Sequence, residues 1–461
     1  MSNNSFHQIH WQERLDKFRA AYHVPGAVLA VYADGKVYEM ASGVLNHSTG
    51  AVATTDSVFE LGSIAKIYTA TVVMQLVEAG KLDLDAPVSS ILPEFVVADA
   101  EATRTITTRQ LLSHTSGLTC DFNLDTGRGD DCLARYVEAI KGVALDCPPG
   151  TVISYSGIGY IVLGRMIETI TGLTWDQALK DLLLTPLGLS STATLPEELL
   201  RYRAAIGHLV EKGQQPVPIS SWDYMPRSAG PGGRVCATAS DLVGLARMHL
   251  DGGKGPDGTR IMDADTVASM QRYEVDVPDK WTVSSDGWGL GWTLYNWNGV
   301  LGFGHDGASI GQYGYVRAVP EKGVAIALVT NGGGSRLLYA ALFRELLDEL
   351  AGVSMPDSFA PPVPPIVVDF TPFVGIYKRE GVVITVSERE GKPHLVYEFV
   401  DGMKDLSPPL HMELVPVTET VFAGSGAGPS FNEDWMPVVF STLPDGTGCC
   451  YIGMRAAPKI A

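Results

Sequence analysis

Apolar residues recur at helical spacing in several separate stretches of the chain. Ile67, Ala70, Met74 and Val77 share one helical face and Gly80 follows them, which predicts a helix opening at Ser63. The same reasoning predicts an amphipathic first helix over residues 12–23 and helices over residues 158–171 and 240–250 that stop at Gly172 and at Gly252-Gly253. A long amphipathic helix is expected over residues 337–350, another over 107–117 ending at Gly117, and a turn into a short helix over 81–87. Residues 27–32 and 36–41 are apolar runs on either side of Asp34-Gly35, a hairpin signal. Later strand-like runs cover residues 288–295, 312–319 and 324–330. Together these predict a sheet built from both chain ends that flanks a helical middle. The polar, glycine-rich residues 121–131 are expected to form a mobile loop near the cleft.

The pattern changes at Pro361-Pro362-Val363-Pro364-Pro365, a stiff extended linker. Beyond it come short runs at 382–386, 394–399, 411–415, 438–441 and 450–454, separated by Gly and Pro, which predict a small antiparallel barrel or sandwich. The expected division is therefore residues 1–360, a linker at 361–365, and a second domain at 366–461.

Length and composition narrow the function classes. At 461 residues the chain is too long for one ordinary domain, and its 45% hydrophobic fraction supplies ample core. A formal net charge of -18 argues against nucleic acid or an anionic membrane as partner. No apolar run reaches the length of a transmembrane helix. Residues 1–24 show no signal-peptide pattern, so a cytoplasmic location is expected. Six cysteines are sparse for this length and read as thiols, with adjacent Cys449 and Cys450 as strand residues. No metal-site spacing is found, and neither a metal nor a cofactor is expected.

The candidate chemistry centres on Ser63-Ile64-Ala65-Lys66. Residues three apart share a helix face, so serine and lysine can point into one cleft. A serine hydroxyl needs a neighbouring base, and a buried lysine can be one. An N-capping serine followed by a solvated lysine gives the same four residues, so the motif needs company elsewhere in the chain.

That company is present. Val24-Pro25-Gly26, Gly62-Ser63-Ile64-Ala65-Lys66, the stretch Leu111-Leu112-Ser113-His114-Thr115-Ser116-Gly117-Leu118, Tyr155-Ser156 and Gly304-His305-Asp306-Gly307 follow one another in order. This order resembles the serine β-lactamase and penicillin-binding protein superfamily, class C branch, over roughly residues 10–350. The resemblance implies an α/β fold of the β-lactamase/transpeptidase type, an antiparallel sheet flanked by helices with an added helical region. Phe373-Val374-Gly375-Ile376-Tyr377 resembles the start of the lipocalin-like β-barrel that follows in many members. By resemblance, Ser63 is the acylated nucleophile, Lys66 its base partner, and Tyr155 the proton shuttle to the leaving group. His305 would donate to Tyr155 or to substrate, and Asp306 and Gly307 would line the substrate strand. The backbone N–H groups of Ser63 and Ala308 would form the oxyanion hole. Gly157 stands where the family's Tyr-x-Asn element has asparagine, which normally bonds the lysine and a substrate amide. His114 is expected to brace a helix end.

An acidic member without an export pattern and with such a tail resembles the penicillin-binding-protein-type thioesterases of nonribosomal peptide assembly. The resemblance implies a peptidyl thioester, carried by a peptidyl carrier protein, as substrate. It implies release as a macrolactam by the peptide's own amine. A hydrolytic esterase, D-amino-acid peptidase or β-lactamase-like enzyme is the alternative, and a non-catalytic acyl-peptide-binding protein a third. Arg455 reads as solvated surface charge or as a tail residue that reaches the cleft and bonds substrate carbonyls.

Overall fold

The strand Gly26–Ala33 sets the layering, because all eight of its residues are buried. Val28, Ala30 and Tyr32 join the core on one face, whereas Ala27, Leu29, Val31 and Ala33 join the core on the other. A period of two thus serves two cores from one strand. The structure, a computed structural model, describes residues 6–120, 122–210, 214–222, 225–425 and 435–461.

The central sheet contains β1 (Gly26–Ala33), β2 (Lys36–Asn46), β3 (Ala51–Val52), β4 (Val275–Asp276), β5 (Gly287–Trp288), β6 (Thr293–Trp297), β7 (Val300–Ser309), β8 (Gln312–Val319) and β9 (Val324–Thr330). Their spatial order is β3-β2-β1-β9-β8-β7-β6-β5-β4. β1 pairs antiparallel with β9, Ala27 opposite Thr330, so both ends of this part of the chain meet in the middle of the sheet, as expected. The β1–β2 turn places Asp34 and Gly35 at φ +52° and +75°, the twist a two-residue hairpin needs. Helices Gln8–Ala21 and Ser335–Ala351 cover one face through Trp11, Leu15, Leu338 and Leu342. Helices Ala65–Glu78, Ile158–Thr171 and Ala239–Leu250 bury their apolar sides in the core of the other.

Three local expectations differ from the structure. The helix read over 107–117 is confined to Thr108–Leu112, because His114 takes φ +60° and its carbonyl accepts the Ser154 amide. The run 288–295 is two strands, since Gly291 at φ +94° bends the chain and Trp288 pairs with Thr293. Apolar composition is the same on either side of that bend, so periodicity alone reads it as one strand. Ser63 lies on a 3-10 turn, Gly62–Ile64, and the α-helix begins only at Ala65. Asp121, the first residue of the loop expected at 121–131, lies outside the described residues.

After Ala351 regular structure resumes in strength at β10 (Gly375–Arg379). Then follow β11 (Val382–Arg389), β12 (Lys392–Phe399), β13 (Leu410–Pro416), β14 (Val421–Ser425), β15 (Trp435–Thr442), β16 (Gly448–Ile452) and β17 (Arg455–Pro458). Each pairs with the next, and Tyr377 bridges Lys459, which brings the last strand back to the first. The result is a nearly closed eight-stranded antiparallel barrel. Val382, Ile384, Leu395, Leu414, Phe422, Val438 and Phe440 fill its interior. Cys449 and Cys450 are strand residues, as expected.

Candidate active site

The turn bearing Ser63 is wedged against strand β7. Gly62 has φ +53°, and a Cβ there would stand 2.3 Å from the carbonyl oxygen of Ala308. A Cβ on Gly307 would stand 1.9 Å from the carbonyl oxygen of Leu61. Two glycines therefore allow turn and strand to touch through their backbones. Gly307 is needed for this internal approach, whichever ligand lies on the strand. The hydroxyl of Ser309 bonds the Glu60 carboxylate, and the Gln312 side chain accepts the Glu60 amide at 3.1 Å, tying the same two segments again.

Lys66 is one helical turn from Ser63, and its Nζ donates to Ser63 Oγ at 3.3 Å and to the carbonyl of Gly232 at 2.6 Å. The Lys66 amino nitrogen lies over the Tyr155 ring, 4.8 Å from its centroid, and the side chain is almost completely buried. Gly232 belongs to Gly230-Pro231-Gly232-Gly233, a short turn docked on helix Ala65–Glu78, where Thr69 Oγ1 also bonds the Pro231 carbonyl. That turn supplies the lysine contact that the family's asparagine would make. Gly157 itself lines the cavity, and a Cβ there would meet the Cys120 carbonyl at 3.0 Å. The Gly-Pro-Gly-Gly run was a visible turn signal in the sequence, but nothing in it foretold a lysine partner.

His114 holds Tyr155 from both sides. Its carbonyl accepts the Ser154 amide and its Nδ1 accepts the Ser156 amide, at 2.9 and 3.0 Å. Its ring packs on Tyr155 with centroids 4.4 Å apart. Burial above all, with Lys66 and Arg455 nearby, pushes it far below the usual histidine range, so it is neutral. It braces the tyrosine segment and not the end of a helix.

His305 and Asp306 are neighbours on β7 and so point to opposite faces of the sheet. His305 is buried behind Tyr155, ring centroids 6.4 Å apart, and is not among the cavity-lining residues. Burial, with Lys66 and Arg317 nearby, lowers it to about 3. In the tautomer where Nδ1 donates to the Asp306 carbonyl at 2.6 Å, Nε2 is an acceptor. The structure thus does not place it as a donor to substrate. Asp306 turns to the other face, where its carboxylate meets Arg317 at 2.5 Å. Arg317 is itself stacked between Tyr295 and Tyr339. Asp306 is therefore not brought to the cavity.

The cavity around Ser63 measures about 420 Å³. Ser63, Lys66, Tyr155, Gly157 and Ala308 line it, as does Arg455 from the barrel. Arg455 Nη2 lies 3.3 Å from Cys120 Sγ, and its guanidinium stands 5.6 Å from the Tyr155 ring centroid. Burial opposes ionisation of Cys120, but Arg455 and Lys66 outweigh it and hold the thiol below its ordinary range. Met403 and Leu406, also from the barrel, face Phe122, Tyr136, Ile161 and Met225 across an otherwise apolar wall. Sequence reasoning found Arg455 but missed these apolar residues and Cys120, because they carry no motif: Tyr136 and Ile161 read as ordinary helix residues, and the others lie in short or irregular segments.

Comparison with known proteins agrees with this geometry. The Beta-lactamase family matches residues 11–349. "Penicillin-binding protein 4" of Amycolatopsis lactamdurans is 58% identical over 376 residues, covering 82% of this chain and 99% of that protein. "Unguisins hydrolase ungD'" of Aspergillus campestris is 25% identical, covering 92% of this chain and 85% of that one. The crystal structure of SurE superposes with a TM-score of 0.79 at 27% identity, covering 98% of this chain and 99% of that one, and SurE with D-Leu gives 0.76. With a serine and a lysine 3.3 Å apart on the turn and helix the family uses, and a family match over most of its length, this chain belongs to the β-lactamase and penicillin-binding protein family of serine hydrolases and acyl-transferases.

Proposed function

We propose that the chain is a serine acyl-transferase that takes a peptidyl thioester onto Ser63 and releases it as a head-to-tail macrolactam. Ser63 Oγ attacks the thioester carbonyl while Lys66, as the free amine, takes its proton. The backbone N–H groups of Ser63 and Ala308 receive the developing oxyanion. Collapse breaks the C–S bond, and Tyr155 hands a proton to the departing thiolate and is reprotonated by Lys66, which returns to the free amine. The peptide's own amine then attacks the ester, gives up its proton through Tyr155, and leaves Ser63 reprotonated.

One observation carries this reading: the barrel builds part of the cavity wall at Ser63, through Arg455, Met403 and Leu406. Aminolysis in water requires the amine held close and the water kept out. A second domain placed over the serine serves both ends. The SurE complex with D-Leu supports a D-residue at the acyl end of the substrate. A carrier protein would present the thioester, which suits a cytoplasmic enzyme. No helix among the described residues is long and apolar enough to cross a membrane. We assign residues 1–360 to acyl transfer and 366–461 to closing the cavity.

Hydrolysis is the second reading, favoured by the likeness along most of the chain to a protein named a hydrolase. Intact mass spectrometry after mixing with a peptidyl thioester ending in a D-residue separates the two. Macrolactam formation predicts an acyl adduct that is absent in Ser63→Ala, and a product 18 Da lighter than the free peptide acid, since ring closure loses one water. An adduct that yields only the linear acid establishes hydrolysis, and no adduct at all refutes Ser63 as nucleophile.

A further inference from the structure

The barrel touches the catalytic centre through more than Arg455. Strands β16 and β17 are joined by Gly453-Met454, both with positive φ, in a two-residue turn that projects out of the barrel. The Met454 carbonyl accepts the backbone N–H of Tyr155 at 2.9 Å. The Met454 side chain packs with Ile153, Tyr155, Val283 and Trp288. Two residues beyond the tip, the Ala456 amide donates to the Ser154 hydroxyl, which in turn donates to the buried Asp146 carboxylate.

Behind the tip lies Asp279, completely buried. Its Oδ1 accepts the Thr282 amide and caps the short helix Lys280–Val283. Capping needs no charge, and serine, threonine or asparagine would serve. The second oxygen does something else: Oδ2 accepts the Met454 N–H at 3.0 Å, together with the Thr282 hydroxyl at 2.6 Å. One residue, Met454, therefore links a buried carboxylate through its N–H to the Tyr155 main chain through its carbonyl. Nothing in the proposed chemistry uses Asp279.

We infer that Asp279 is a positioning residue for Tyr155. By holding the Met454 amide it fixes how deeply the barrel's turn inserts, and so sets both the Tyr155 main chain and the neighbouring Arg455 relative to Ser63. The inference rests on Ser63 being the nucleophile but not on cyclisation. A carboxylate holds an N–H more strongly than a neutral carboxyl does. Burial raises Asp279 to about 6, against the hydrogen bonds from Thr282 and Met454 and the charge of Arg336 on helix Ser335–Ala351. The other titratable groups around it are Cys450 on β16, a buried thiol kept neutral, and Lys280, whose ammonium is paired with Asp286 at 3.5 Å. The hold on the turn should therefore slacken as pH falls through about 6.

The test is the rate at which a fluorophosphonate labels Ser63 in the full chain from pH 5 to 9. Asp279→Asn keeps the size and, with its carbonyl oxygen on the Thr282 amide, the cap, but its NH2 then faces both the Met454 N–H and the Thr282 hydroxyl. It should label about tenfold or more slowly at pH 8, as misplacement at a reacting centre does. It should also lack the acid limb near pH 6 that is expected of the native chain, while melting within a few degrees of it. A merely structural Asp279 would shift the melt and leave the pH profile alone. Labelling within twofold of native, with the native profile, overturns the inference. If the variant does not fold, hydrogen–deuterium exchange on the native chain decides. Amides at 153–156 and 452–456 should lose protection between pH 8 and pH 5 relative to β15, and equal protection overturns the inference. A native chain that is never labelled refutes Ser63 as nucleophile, a separate failure, and exchange still decides the role of Asp279.

Discussion

Lys66 and Tyr155 work as one unit in this site, since the lysine nitrogen meets both Ser63 Oγ and the tyrosine face. Lys66→Ala and Tyr155→Phe should each slow acylation of Ser63 by about two to four orders of magnitude. The double variant should be little worse than either, because groups of one relay are not additive; single-turnover labelling rates check this, and near-native rates in both would remove them from the relay. Asp306 makes the opposite case. It pairs with a fully buried arginine on the far side of the sheet, so Asp306→Asn should leave Arg317 uncompensated and cost about 3 kcal/mol. The folded enzyme should keep its kcat/KM, so a melting curve combined with an activity assay tells a structural from a substrate role. His305, neutral and buried, belongs with Asp306 as a residue whose motif is legible and whose direction is not.

At the scale of elements, the serine turn and β7 approach so closely that glycine is required on both sides. Gly307→Ala would push a methyl into the Leu61 carbonyl, and neither backbone can yield cheaply. It should cost about 2 kcal/mol or more in stability and lower Ser63 labelling in the protein that does fold. Labelling and melting unchanged would show that the turn can retreat. The barrel's docking hairpin brings a pH dependence. Burial pushes Asp146 up to about 7, so between about pH 4 and 7 the folded chain holds a proton that the unfolded chain has released. Its contribution to stability is present below pH 4 and is lost as pH rises to 7, on the order of 4 kcal/mol. His249 and His305, lowered to about 3, act oppositely, so the native melting curve mixes both signs. The melting temperature of Asp146→Asn minus that of the native chain should therefore rise with pH over this window, and a flat difference would refute the assignment.

For the whole molecule, the barrel supplies a wall of the cavity and a backbone partner for Tyr155. Removing residues 366–461 would strip the Tyr155 amide of its partner, so truncation confounds chemistry with damage to the site. Arg455→Ala is the cleaner probe. It should shift product from cyclic to linear peptide more than it slows acylation, read as the cyclic-to-linear ratio by mass spectrometry. An unchanged ratio would reduce Arg455 to a partner of Cys120.

Much of this protein was legible in its residue pattern. The strand-like runs at 312–319 and 324–330 and the helix stopped by Gly172 stand where the residue pattern puts them, because a short apolar run or a helical repeat closed by glycine is a local property. The Ser63–Lys66 spacing likewise carries its own geometry, as one helical turn brings the two side chains together. What the tertiary structure alone decided are the contacts between distant segments. Gly232 at Lys66, Met454 at Tyr155, and Arg455 at Cys120 each join chain positions more than a hundred residues apart. No period or motif encodes such pairs. Strand register assigned Asp306 to the face opposite the cavity, and the backbone approach of the Leu61 carbonyl assigned Gly307 to packing. A sequence motif names residues in order along one line, whereas direction and depth are fixed only when the two sides of a strand have been given to different cores.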